Sequence, residues 1–184
     1  MILLNCWKTV NYTRQYGTHR LFVISLITML LTFIILYISL SYLFVPTTFY
    51  DNHFFLFIFC LILVYPVHKL LHLLPISHLG PKIRKRIERK FIFFPSIQIT
   101  AHEPISKHLF LLALLLPFVT LTAILVAFCF ILPHYVHYIT ILLAYQTGIS
   151  VPDLVRTVNI LKAPKHAYIE ENEDGFEILV SNQQ

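Results

Sequence analysis

A chain of 184 residues that is 57% hydrophobic and only 12% charged, with a mean hydropathy of +0.72, lies outside the composition of soluble domains and reads as an integral membrane protein. Its net charge of +5 comes from a few loops, so it reports orientation in a bilayer rather than nucleic-acid binding. Cys6, Cys60 and Cys129 are spaced neither as a disulfide framework nor as a CxxC clamp, and without a Gly-rich phosphate loop nucleotide binding has no support.

Residues 1–20 are polar and mildly basic, with Lys8, Arg14 and Arg20. The apolar run 21–45 is longer than a signal h-region, ends in no small-residue cleavage site and can cross a hydrocarbon core of about 30 Å. It is the first predicted transmembrane helix. After a short loop with Asp51 and no Lys or Arg, a second span is predicted over 53–74, with Pro66 bending it just ahead of His68.

Residues 75–107 change character, with Lys82, Arg84, Lys85, Arg86, Arg89, Lys90 and Lys107 against Glu88 and Glu103. Within this loop Ile83 to Lys90 reads as a basic helix lying on anionic headgroups, or more plainly as a solvated stretch. Phe91 to Thr100, broken by Pro95, reads as a short strand. The third predicted span, 108–132, carries Pro117, and Pro133-His134 then makes a tight helical hairpin. The fourth, 135–151, is the shortest and holds His137, Thr140, Gln146, Thr147, Gly148 and Ser150. Unpaired polar groups are expensive in lipid, so this helix is expected to line the interior. The chain is expected to leave the membrane after Pro152-Asp153, and in the tail Ala167 to Glu170 and Phe176 to Val180 flank an Asp174-Gly175 turn, a hairpin signal.

The expected fold class is an all-α polytopic membrane protein. It comprises a four-helix membrane domain over 1–153, a basic cytoplasmic loop at 75–107, and a cytoplasmic tail over 154–184 with a small β-hairpin. Lys and Arg populate the N-terminus, the 75–107 loop and the tail, while the loops around Asp51 and Pro133 have none. The positive-inside rule then puts both termini in the cytoplasm of a multi-pass plasma-membrane protein. The expected partners are the lipid bilayer and a membrane protein or peptide, with no nucleic acid.

His68-Lys69-Leu70-Leu71-His72 is the stretch that carries chemistry. Histidines at i and i+4 share one helix face, the spacing a tetrahedral metal needs from two imidazoles. The pattern is a damaged H-E-x-x-H, in which the glutamate serves as general base to a metal-bound water, and here that position is Lys69. The second and fourth spans both run inward, so His68, His72 and Asp153 are expected at similar depth. Asp153 is therefore the candidate third ligand of a site with three protein ligands and one open position. Taken alone, Asp153 reads equally as a charged helix stop, and the histidine pair as interfacial hydrogen bonding with Lys69 snorkelling to headgroups. Glu103 is a further acid in the basic loop, but nothing in the sequence places it near His68.

On Val67 to His72, on Ile105-Ser106-Lys107 with Pro117-Phe118, and on Gly148 to Leu154 followed by Lys162-Ala163-Pro164-Lys165, the chain resembles DUF3267. This is a zincin-peptidase family of small bacterial membrane proteins, itself similar to site-2-type intramembrane metalloproteases. The resemblance covers most of the chain from about Phe54 onward. It implies metal ligands at His68, His72 and Asp153, zinc as the cofactor, and a catalytic glutamate at the position of Lys69. A charged ammonium cannot accept a proton from water, so this departure from the family pattern predicts a catalytically degenerate protein that acts as a non-catalytic binder or regulator. Two alternatives stay open: an active zinc peptidase with another base, and a small membrane scaffold whose histidine pair is accidental.

Overall fold

The computed structural model describes residues 4–11, 15–44, 48–77, 83–88, 96–101, 104–172 and 175–181, with the backbone alone at 83–88 and 96–101. Its frame is four long helices: α1 (Thr18–Leu43), α2 (Phe54–Ile76), α3 (Lys107–Ile131) and α4 (Val136–Leu161). The first three are long and apolar enough to cross a membrane. Helix α1 buries only Leu21 and turns Phe22, Leu26, Leu30 and Ile35 outward, an apolar surface suited to lipid rather than water.

Helix α4 is as long as α1 but is not among those three. It packs against α1, α2 and α3 and buries Thr140, Gln146, Ser150, Asp153 and Thr157, so protein rather than lipid surrounds its polar side. Several of these hydroxyls satisfy themselves on the preceding turn. Thr140 Oγ1 donates to Val136 O at 2.7 Å, Ser150 Oγ to Gln146 O at 2.8 Å and Thr157 Oγ1 to Asp153 O at 2.9 Å.

One expectation is corrected here. The helix does not stop at Val151 but runs through Pro152 to Leu161, so Asp153 lies inside it rather than in a departing tail. The apolar run ends where the polar site begins, and the helix continues because helical geometry does not require apolar residues when neighbouring protein supplies the packing.

Short strands gather at one end of the helices. The strands β1 (Leu4–Asn11), β4 (Ile105–Ser106), β5 (Ala167–Asn172) and β6 (Gly175–Ser181) form an antiparallel sheet in the order β1-β6-β5-β4. The tail hairpin β5–β6 is present, with Ile169 opposite Ile178; its turn residues Glu173 and Asp174 lie outside the described residues. A lone two-stranded hairpin is marginal in water, and here β1 flanks it from Leu4↔Ser181 to Asn11↔Gly175 while β4 covers its other side. The all-α expectation is thus amended by a four-stranded sheet that includes the N-terminal segment.

A second hairpin pairs β2 (Ile83–Glu88) with β3 (Ser96–Ala101), in register from Ile83↔Ala101 to Glu88↔Ser96. The expected basic helix over Ile83 to Lys90 is therefore a strand where it is described. Ile83 and Ile87, four residues apart, fit one face of a helix as well as one face of a strand, so the pairing with β3 and not the residue pattern decides the element. Arg89 and Lys90, and Phe91 to Pro95, lie outside the described residues.

Because β1 leads into α1, β4 into α3, and α4 into β5, those three helix ends share the sheet's side. Lys107 reinforces this junction, its buried ammonium donating to Leu161 O at 3.1 Å at the end of α4 and to Ala163 O at 2.6 Å just beyond it. At the opposite end the two short connections meet. His134 Nδ1 donates to Thr48 O at 2.9 Å, Tyr135 OH donates to Asn52 Oδ1 at 2.9 Å, and the Tyr50 and His134 rings stack at 4.5 Å.

Two apolar cores result. One joins the sheet residues Val10, Ile105, Ile169 and Ile178 to Ile76, Phe110 and Ile160. The other holds Val64, Leu125, Cys129, Ile139 and Leu143. Between them in sequence, on α2 from Val64 to Ile76 and on α4 from Leu143 to Ile160, fall the buried polar residues His68, His72, Gln146, Ser150 and Asp153.

Candidate metal centre

The α2 face that carries His68 and His72 meets the α4 face that carries Asp153. The structure brings together all three residues singled out from sequence. His68 Nε2 and Asp153 Oδ2 are 3.2 Å apart, His72 Nε2 and Asp153 Oδ2 3.1 Å, and the two Nε2 atoms 3.1 Å. The three side chains are nearly closed to solvent, at 1%, 9% and 7% exposure for His68, His72 and Asp153. This near-equilateral triangle of ligand atoms is the arrangement a single ion would share.

Its orientation begins with a proline. Pro117 has no N–H, so α3 leaves the carbonyl of Ala113, four residues earlier, without its helical donor. That carbonyl accepts the Nδ1–H of His72 at 2.7 Å. The proton on His72 is thereby held at Nδ1, and its Nε2 presents a lone pair to the other two ligands.

His68 is fixed from the other side by Gln146 of α4, whose Nε2 lies 3.2 Å from His68 Nδ1 and donates to Pro117 O at 3.2 Å. The Oε1 of the same amide is buried with no partner. Turning the amide over would set Oε1 against His68 Nδ1 to accept its proton and leave His68 Nε2 a lone pair, with loss of the hydrogen bond to Pro117 O.

The donor set fits a small tetrahedral cation. Ligand bonds of about 2.0–2.1 Å place tetrahedral donors about 3.3 Å apart, close to the 3.1–3.2 Å edges observed. Without a cation, the His72 Nε2 lone pair would face a carboxylate oxygen at 3.1 Å with no proton between them unless the imidazole were doubly protonated. Two imidazole nitrogens and one carboxylate oxygen within reach of one point are a donor set that can hold a metal ion.

Lys69 stands beside this triad half-buried, its ammonium 6.0 Å from the centre of the Tyr65 ring one turn earlier. Arg156, one turn beyond Asp153, pairs with Glu171 of β5 at 3.8 Å. The sequence offered no reason to connect Glu171 with the site, because it sits in a hairpin strand across a turn from the helix that carries Asp153. The role of Ala113 had a faint signal, the four-residue offset from Pro117. Glu103 lies outside the described residues. Of the remaining histidines, His134 and His137 belong to the opposite end, where His137 Nε2 lies 3.2 Å from Asp51.

The family model DUF3267, described as "Putative zincin peptidase", matches residues 61–168, which include both histidines, Ala113, Pro117, Gln146 and Asp153. No curated protein and no solved structure matches the chain.

Proposed function

The chain belongs to the DUF3267 family, and from that premise we propose that it is a membrane-embedded zinc metallopeptidase whose helix motif holds the metal without supplying the base. The observation that carries this reading is the preserved ligand triangle, with edges of 3.1–3.2 Å and the His72 proton held away from it by Ala113 O at 2.7 Å. A lost site would have little reason to keep the partners that set ring orientation.

In this reading His68, His72 and Asp153 bind zinc, which when bound supplies a Lewis acid and a water acidified towards neutral pH. Gln146 and the Ala113 carbonyl orient the two rings. Burial keeps bulk water from competing for the ligands. An apolar groove of about 580 Å³ runs along α2, α3 and α4 from His53 and Leu132 to Val67 and Leu121. Its inner end is one residue from His68, which suits an apolar polypeptide segment arriving from the bilayer as substrate.

All four helices cross the membrane in this reading, α4 as the protein-lined one, and the basic N-terminus, 75–107 loop and tail face the cytoplasm. A second reading, a non-catalytic zinc-binding regulator, is favoured by Lys69 alone. Metal analysis of the detergent-purified chain beside the His68→Ala, His72→Ala double variant tests the zinc centre. About one zinc per natural chain and none in the variant is expected. Equal metal in the two ends the ligand assignment, and a zinc-loaded chain that leaves membrane peptides intact selects the regulator.

A further inference from the structure

We propose that Glu171 on β5 is the catalytic carboxylate of this centre, serving as the general base that the helix motif lacks at Lys69. The inference rests on the zinc-peptidase reading above. A zincin mechanism needs a carboxylate beside the attacking water, and α2 offers a cation there instead.

The described acidic side chains narrow the choice. Asp153 is taken as a ligand. Asp51 lies at the opposite end with His137, at 3.2 Å. Glu177 accepts from Asn172 Nδ2 at 2.8 Å, and it pairs across the hairpin with Glu170. Glu170 and Glu171 point to opposite faces of β5, because side chains alternate along a strand. Glu171 is the one that meets the helices. It lies 3.8 Å from Arg156, which shares a face of α4 with Asp153 one turn away.

The charges that act on Glu171 are those around the site: Arg156 and Asp153 from α4 and Lys69 from α2. Burial pushes its carboxyl above the usual glutamate range, Arg156 and Lys69 oppose that shift, and the Asp153 carboxylate adds to it. A raised carboxyl that neighbouring cations still favour in its ionised form suits a group that accepts a proton and then releases it. Lys69 therefore has a role in the inference, because its charge helps keep a carboxylate from another element ionised. Glu171 also falls just past the matched stretch, which ends at residue 168, so this carboxylate comes from outside the region the family model covers.

The proton balance is simple. As the water oxygen bonds to the scissile carbonyl carbon, its proton passes to the Glu171 carboxylate. As the C–N bond breaks, Glu171 gives that proton to the leaving nitrogen and is restored.

The test uses the full-length chain in detergent, loaded with zinc or with Co(II), and a doubly labelled apolar membrane peptide. The expected result is undiminished metal content in Glu171→Gln, loss of cleavage by about 10²- to 10⁴-fold, partial recovery in Glu171→Asp, and no change in Glu170→Gln. In the Co(II) form, the acid-side step in the pH dependence of the absorption spectrum should be present in the natural chain and absent in Glu171→Gln. Cleavage and spectral titration both unaffected by Glu171→Gln overturn the role of Glu171 and leave the zinc peptidase standing. An equal loss in Glu170→Gln assigns the effect to strand damage and overturns it as well. A natural chain that binds no metal, or binds it and cleaves nothing, removes the underlying reading instead.

Discussion

Gln146 is the residue on which the state of the site turns. Its buried Oε1 has no partner while its Nε2 faces His68 Nδ1, so one amide decides which nitrogen of His68 carries the proton. Replacing it with an apolar side chain of similar size removes that control. Gln146→Leu is expected to weaken zinc binding about 10- to 100-fold, as loss of a ligand's outer partner commonly does, with the helical content of the purified protein retained. Competition against a chromophoric chelator measures this, and unchanged affinity would mean that His68 orients without help.

At the scale of elements, two contacts fix how the helices pack, one at the site and one away from it. The first is the carbonyl that Pro117 leaves free. Pro117→Ala restores an N–H able to bond Ala113 O, in competition with His72 Nδ1–H. Zinc affinity should fall about tenfold although α3 itself gains a hydrogen bond, and metal titration together with a thermal melt would separate those opposite effects. The second contact lets α4 sit close to α1. A Cβ built on Gly148 would stand 2.9 Å from Met29 Cβ and 3.2 Å from Ser25 O, and neither is the far end of a flexible side chain. Gly148→Ala must push the helices apart, at a cost of about 1–3 kcal/mol, visible as a lower melting temperature in detergent. A melt identical to that of the natural chain would show that α1 can shift without loss.

For the whole molecule, the sheet is the device that sets the path of the chain. Strand β1 pairs with β6 near the other terminus, from Leu4↔Ser181 onward, and β4 pairs with β5 just before α3 begins. Strands β1 and β6 and the strand β4 that precedes α3 are thus held at one end, and the described helices run up and down in alternation. Reporter fusions after Lys90 and after Val180 are expected to read cytoplasmic, and one after Asn52 external. A fusion after Val180 that reads opposite to one after Lys90 would contradict the shared sheet.

What the sequence determined by itself was local in origin. Composition and run length marked the apolar helices α1, α2 and α3, since crossing lipid demands long apolar stretches and little else. The i, i+4 spacing put His68 and His72 on one face before any partner was known. The polar residues of the fourth run foretold a helix turned inward, and Thr140, Gln146 and Ser150 are buried. Tertiary structure alone decided the rest, because each remaining feature joins residues far apart in the chain. Helix α4 continues to Leu161 because its neighbours cover it, whereas a hydropathy reading ends where the apolar residues end. Strand β1 exists because β6 offers it an edge at the other end of the sequence. The approach of Asp153 to the histidines, the Ala113 carbonyl beneath His72, and Glu171 beside Arg156 are products of packing between elements, which no local pattern of residues encodes.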